Sequence, residues 1–182
     1  MTSSMQAVIL NMANKNRAIF FDRDGTLNVE VDYLYRPEDF RWMPEAVEAL
    51  RYCHEQGYLA VVITNQSGVA RGFYHEEDVV RLHRWMNRQL AEMGEQPIDG
   101  FYYCPHHPQG TVPQYTTVCS CRKPQPGMIV QACRELQIDP AQSWMIGDSL
   151  RDVESGEAAG VRGVRYTGGS LLKCLKENLG KR

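Results

Sequence analysis

The residues with the clearest chemical promise are two aspartates, Asp22 and Asp24, in the run Phe20-Phe21-Asp22-Arg23-Asp24-Gly25-Thr26-Leu27-Asn28. Carboxylates at i and i+2 leave a strand on the same side, and Gly25 frees the backbone to turn sharply beside them. Paired carboxylates suit a hard cation such as Mg²⁺, which takes oxygen ligands and keeps several waters. A carboxylate is also a nucleophile toward phosphorus and forms an aspartyl-phosphate. Its neighbour can protonate a leaving alkoxide and then activate water. An isolated Asp-x-Asp is ambiguous, because it also occurs in metal-binding glycosyltransferases and in ordinary turns.

Three further residues complete a phosphoryl site. Thr64, in Thr64-Asn65-Gln66-Ser67, offers a hydroxyl at a strand end. Lys123, in Arg122-Lys123-Pro124, offers a point charge for phosphoryl oxygens. Asp148, in Gly147-Asp148-Ser149-Leu150-Arg151-Asp152, offers a further metal carboxylate. Phosphoryl transfer is mostly positioning and charge neutralisation, so this inventory is close to sufficient for a phosphatase.

A second cluster lies between Tyr103 and Arg122: Cys104-Pro105-His106-His107, then Cys119-Ser120-Cys121. Three thiolates and one imidazole, from His106 or His107, complete a tetrahedral Zn²⁺ site of the closed, structural kind. Such an ion clips the ends of a long loop and lowers its closure entropy. The bland alternative is free thiols and surface histidines. The loop runs directly into Arg122-Lys123, so a clip there fixes where the lysine points. Cys53, Cys133 and Cys174 have no such pairing and read as core or surface cysteines.

The elements that must hold these residues alternate. Strands are expected at Ala18–Phe21, Leu59–Ile63, Phe101–Tyr103, Trp144–Ile146 and Gly163–Tyr166. Helices are expected at Pro44–His54, His75–Met93, from Pro126, at Asp152–Ala159 and at Leu171–Leu179. Their apolar positions recur at helical spacing, as in Val79, Leu82, Met86 and Leu90. Strand–helix alternation means an α/β fold: a Rossmann-like, mainly parallel sheet with helices on both faces. Ligands bind beyond the carboxyl ends of the strands in such folds. Asp22, Thr64 and Asp148 all fall there.

The chain has 182 residues, 43% hydrophobic and 23% charged, with a formal net charge of −2. That fits one soluble domain. No charge excess calls for nucleic acid or an anionic membrane as partner, and no apolar run approaches the length of a membrane span. Residues 1–16 read as an extension, expected to be disordered, with Met5 or Met12 as alternative starts, and residues 17–182 as the phosphatase domain. A basic leader is lacking before Ala7–Leu10, so a cytoplasmic monomer acting on a small molecule is expected.

The four motifs, in order from Arg17 to Tyr166, resemble the haloacid dehalogenase superfamily of phosphatases. The resemblance implies a core without a large cap domain. It implies Asp22 as nucleophile and Asp24 as acid/base. Mg²⁺ would be held by Asp22, the backbone carbonyl of Asp24, and Asp148, while Thr64 and Lys123 steady the phosphoryl group. Cys-Pro-His-His-Pro-Gln-Gly, Cys-x-Cys-Arg-Lys-Pro and Thr-Asn-Gln-Ser-Gly are similar to the zinc-clipped branch. That branch implies Cys104, His106, Cys119 and Cys121 as the zinc ligands, with His107 second to His106. It also implies a heptose bisphosphate substrate, in the supply of nucleotide-activated heptose for lipopolysaccharide core. Histidinol phosphate is the alternative, favoured in a neighbouring branch whose loop is typically shorter. A non-catalytic zinc-stabilised sugar-phosphate binding module is the reading from another class.

Without a cap, loops must select the substrate. The candidates are Arg23, Glu30, Val31, Asp32, Tyr33, Asn65, Gln66, Ser67, Arg122, Lys123 and, more distantly, Ser149 and Arg71. A guanidinium suits bidentate phosphate contact, which makes Arg122 the expected clamp on an unreacted phosphate. The chain departs from the family pattern in three places. No glycine precedes Tyr33, Ser149 stands where a lysine is common, and a last edge strand after Tyr166 is not evident.

Overall fold

A computed structural model describes residues 15–179. Five strands form one parallel sheet: β1 (Arg17–Phe21), β2 (Tyr58–Asn65), β3 (Gly100–Cys104), β4 (Trp144–Gly147) and β5 (Arg162–Arg165), in the order β3-β2-β1-β4-β5. The helices are α1 (Ala46–Glu55), α2 (Glu76–Glu92), α3 (Gly127–Glu135), α4 (Leu150–Ala158) and α5 (Leu171–Leu179).

The central strand shows why helices must cover both faces. Ala18, Ile19, Phe20 and Phe21 are all fully buried. Ile19 and Phe21 face a core built from Leu50 and Cys53 of α1, Leu82, Met86 and Leu90 of α2, and Leu171 and Leu175 of α5. Ala18 and Phe20 face the other way, onto Met128, Ile129 and Ala132 of α3. β2 splits likewise, with Ala60 and Val62 on the first face and Val61 and Ile63 on the second. α4 packs on β4 and β5. Alternation across a pleat thus divides one continuous apolar run between two cores.

The chain runs β1 to β2 to β3 in one direction, then returns to lay β4 on the opposite side of β1. The strand order therefore reverses between β1 and β4, which is the switch point where α/β sheets open a crevice. Asp22 and Asp148 follow these two strands. The backbone N–H of Asp22 donates to Ile146 O at 2.9 Å, which carries the pairing one residue beyond β1.

Most expected boundaries shift by one or two residues. The first helix starts at Ala46 rather than Pro44, because Glu45 takes a left-handed φ of 59°. The last strand begins at Arg162, and Tyr166 N–H still donates to Gly147 O at 2.8 Å. β5 is the sheet edge, and no strand follows it among the described residues. The chain then turns into α5, which packs on α1. Of the expected N-terminal extension, residues 1–14 lie outside the described residues; Asn16 belongs to the fold, its N–H donating to Gln137 O at 2.9 Å. No described helix is long and apolar enough to cross a membrane.

Candidate active site

The carboxylates of Asp22, Asp148 and Asp152 offer oxygens that all lie within 4.8 Å of one another at the β1/β4 switch point. Asp22 is pushed up to about 7, chiefly by burial; Lys123 opposes this, and Asp152 and Asp24 add to it. This crowding of oxygen donors around one cation is the chemistry of a hard divalent-ion site. Gly25 makes the close approach possible. It holds a left-handed φ of 78°, and a Cβ there would collide with the Asp148 carboxylate.

Lys123 is 3% exposed, and its ammonium has three partners: Asp22 Oδ1 at 2.7 Å, Asp152 Oδ1 at 2.6 Å and Ile63 O at 2.8 Å. Burial works against its charge, yet the two aspartates outweigh burial and hold its pKa above the ordinary value. Its backbone is clamped reciprocally by Asn65. Lys123 N–H donates to Asn65 Oδ1 at 3.0 Å, and Asn65 Nδ2 donates to Lys123 O at 3.2 Å. Asp152 is fully buried, and its second oxygen accepts from Ser149 N–H at 2.9 Å. It is the main residue the sequence reading passed over. The available signal was its position four residues after Asp148, in the first turn of α4, where a carboxylate caps the helix.

The Asp24 carboxylate is the best-supported group in the site. Oδ1 accepts from Arg23 Nε at 3.2 Å, Arg23 Nη2 at 3.1 Å and Asn28 Nδ2 at 3.1 Å. Oδ2 accepts from Arg23 Nη2 at 3.0 Å and Gln66 Nε2 at 2.9 Å. The Tyr74 hydroxyl donates to Gln66 Oε1 at 2.7 Å, which fixes the amide with its NH₂ toward Asp24 and toward Thr64 Oγ1 at 2.8 Å. Arg23 is fully buried, and its Nη1 lies 3.3 Å from His83 Nε2. A guanidinium only donates, so a neutral His83 accepts. Burial, and then Arg23, hold the His83 pKa well below its usual value. No sequence motif marks Tyr74 or His83.

These groups floor a cleft of about 220 Å³. Of the predicted residues, Asp22, Asp24, Glu30, Val31, Asp32, Tyr33, Asn65, Gln66, Ser67, Lys123 and Asp148 line it, together with Leu34, Tyr74 and Arg151. Four others do not. Arg23 turns inward beneath Asp24, and Thr64 lies buried under Gln66. Arg122 directs Nη1 at His106 O, 3.3 Å away. Ser149 is the N-cap of α4. Arg71 likewise sits off the cleft, with Nη2 3.3 Å from His107 Nε2. On the rim, Tyr33 stacks edge-to-face on Phe73 with centroids 4.5 Å apart, and both are exposed. Glu30 is raised to about 7, first by burial and then by Asp24, Asp148 and Asp32.

Beside the cleft, Cys104, His106, Cys119 and Cys121 bring their ligand atoms within 4.8 Å of one another. The sulfur–sulfur separations are 3.5, 3.1 and 3.2 Å, and His106 Nδ1 lies 3.4 Å from Cys121 Sγ and 3.7 Å from Cys104 Sγ. Zinc–thiolate bonds give tetrahedron edges of about 3.8 Å, so a slight expansion would fit the ion. His107 is engaged elsewhere, with Arg71 and with Gln109 N–H.

A family model described as HAD-hydrolase-like matches residues 120–178. The D-glycero-beta-D-manno-heptose-1,7-bisphosphate 7-phosphatase of Haemophilus influenzae is 46% identical over 147 residues, 81% of this chain and 79% of that protein. The protein of the same name from Escherichia coli K12 is 45% identical over 150 residues, 82% of this chain and 78% of its own. The D,D-heptose 1,7-bisphosphate phosphatase of B. bronchiseptica, solved with magnesium and phosphate, superposes with a TM-score of 0.71 at 28% identity, over 91% of this chain and 99% of that one. This extent of identity, on a matching overall fold, makes the chain a haloacid-dehalogenase-like hydrolase of the D-glycero-beta-D-manno-heptose-1,7-bisphosphate 7-phosphatase family.

Proposed function

We propose that this chain is a Mg²⁺-dependent phosphatase that removes the 7-phosphate of D-glycero-beta-D-manno-heptose 1,7-bisphosphate. The observation that carries this reading is the Asp22 carboxylate at the switch point, 2.7 Å from Lys123 and converging with Asp148. Asp22, Asp148 and the backbone carbonyl of Asp24 would hold Mg²⁺, which supplies positive charge against the phosphoryl oxygens.

The Asp22 carboxylate oxygen attacks phosphorus, and the bond from phosphorus to the sugar oxygen breaks. Asp24 delivers a proton to the departing alkoxide. It then takes one from the water that cleaves the acyl phosphate, releasing inorganic phosphate and restoring Asp22. Gln66, Asn28 and the Arg23–His83 pair hold Asp24 in place for both transfers. Lys123 balances the charge on the transferring group, with Thr64 beneath it. Glu30, Asp32 and Tyr33 on the rim suit sugar hydroxyls. In this reading the enzyme works as a cytoplasmic monomer, supplying nucleotide-activated heptose for lipopolysaccharide core.

Phosphate release with Mg²⁺ tests the assignment against both anomers of the heptose bisphosphate, histidinol phosphate and simple sugar monophosphates. The beta bisphosphate should show the highest kcat/KM. Equal or faster turnover of histidinol phosphate would reverse the substrate, and no release from any of them would leave a binding module.

The Cys/His cluster is proposed as a structural Zn²⁺ site formed by Cys104, His106, Cys119 and Cys121. Metal analysis should find about one zinc per chain, and Cys119→Ser should lower both zinc content and melting temperature. Purified, unmodified protein free of zinc would refute the clip.

A further inference from the structure

His83 has a second ring nitrogen that the active site does not use. Its Nε2 accepts from Arg23 Nη1 at 3.3 Å, and a guanidinium only donates, so the neutral ring carries its proton on Nδ1. Nδ1 has no hydrogen-bond partner among the described residues, yet it is not one of the fully enclosed atoms left without one. It therefore reaches open space, although His83 as a whole is only 4% exposed.

That space is a crevice of about 390 Å³ between α2 and β3, which His83 lines together with Arg84, Asn87, Asp99, Phe101 and Tyr103. It shares no lining residue with the catalytic cleft. Its walls are aromatic: the His83 ring stacks on Phe101 with centroids 4.4 Å apart, and Tyr103 meets it edge-on at 6.1 Å. The polar groups on the walls are not equally engaged. Asn87 spends its amide on Ile98, donating to the carbonyl at 3.1 Å and accepting from the N–H at 2.9 Å. Asp99, the one carboxylate on these walls, is held by His54 Nε2 at 3.0 Å and by Ala60 N–H at 2.8 Å. Arg84 forms no ion pair with a described carboxylate. What remains is one neutral donor and one cation beside flat apolar surface. Small-molecule sites combine apolar walls with a few fixed polar groups in this way, and this pair of donors suits a monoanion.

We infer that the crevice between α2 and β3 is a second binding site, for a small planar molecule bearing a carboxylate, and that its occupancy is transmitted to Asp24 through His83 and Arg23. The carboxylate accepts from Nδ1–H while Arg84 balances its charge. An acceptor on Nδ1–H polarises the ring and makes Nε2 a stronger acceptor for Arg23. Arg23 in turn holds both oxygens of Asp24. Neither half depends on which phosphate ester the cleft accepts.

Benzoate is the probe, with benzamide and acetate as controls. The His83 Nδ1–H and Arg23 Nε–H resonances of isotope-labelled protein are followed by NMR. Benzoate should shift both saturably, with a dissociation constant on the order of millimolar. Benzamide lacks the charge and acetate the ring, so each should bind more weakly. Arg84→Gln, a change at an exposed residue, should weaken benzoate about three- to tenfold and leave the melting temperature unchanged. Saturating Mg²⁺ and inorganic phosphate should leave benzoate in place. If no saturable shift occurs, Nδ1–H belongs to water and the site is overturned. Equal binding of benzamide, undiminished binding by Arg84→Gln, or displacement by phosphate, which would put benzoate in the cleft, overturns it too. A response that stops at His83 overturns the transmission to Asp24.

Discussion

Asp22→Asn is expected to lower phosphate release by about 10⁴-fold or more, the scale seen when a covalent nucleophile is removed. The amide keeps the shape of the side chain but has no anionic oxygen to attack phosphorus. The fold should survive the change. Lys123 keeps Asp152 at 2.6 Å and Ile63 O at 2.8 Å, so its ammonium is not stranded. Burial already presses Asp22 toward neutrality, to about 7, so a neutral residue there suits the interior. The measurements are phosphate release with Mg²⁺, a thermal melt, and trapping of the acyl phosphate. Appreciable turnover in a well-folded Asp22→Asn protein would sink the covalent mechanism.

Lys123→Met should act on stability and catalysis together. Lys123 is the cation between Asp22 and Asp152, and its side chain is 2% exposed. Removing one member of a buried ion cluster leaves charge uncompensated, at a cost of about 3–5 kcal/mol. Methionine has similar bulk, so the loss would report charge rather than a cavity. Urea denaturation without added Mg²⁺ should show the drop, and phosphate release in its presence should fall to background. A variant as stable as the parent would mean that the Asp22 and Asp152 carboxylates are neutral or relieved in some other way. Lys123→Arg makes a useful contrast. It keeps the charge, but its larger planar head does not fit between two carboxylates and a backbone carbonyl, so catalysis should still fail.

Much of the fold was legible because its signals are local and periodic. β2 carries the continuous apolar run Leu59–Ile63, with Val61, Val62 and Ile63 β-branched, as suits a strand covered on both faces. α2 carries Val79, Leu82, Met86 and Leu90 on one stripe. Boundaries were less legible where the backbone takes an unusual conformation. Glu45 at φ 59° delays the first helix past Pro44, and nothing in Pro-Glu-Ala announces a left-handed glutamate. A parallel sheet also fixes which strand ends share an edge. Asp22, Thr64 and Asp148 therefore belong to one end of the molecule on their sequence positions alone.

By itself, the sequence determined the element order, the edge of the sheet at which chemistry must gather, and the residue types gathered there. It also determined that Cys and His side chains flank the loop before Lys123, and the structure brings Cys104, His106, Cys119 and Cys121 together there. Only the tertiary structure decided which way each polar side chain turns. Arg23, between two cleft-lining aspartates, turns inward because Asp24, Leu34 O and His83 accept its donors. Arg122 leans toward His106 O, while Arg151 lines the cleft. Asp152 takes hold of Lys123 from a helix whose direction the strand pairing sets. A side chain's orientation depends on partners far away in sequence, 60 residues between Arg23 and His83 and 58 between Asn65 and Lys123. Periodicity and spacing carry no record of such pairings.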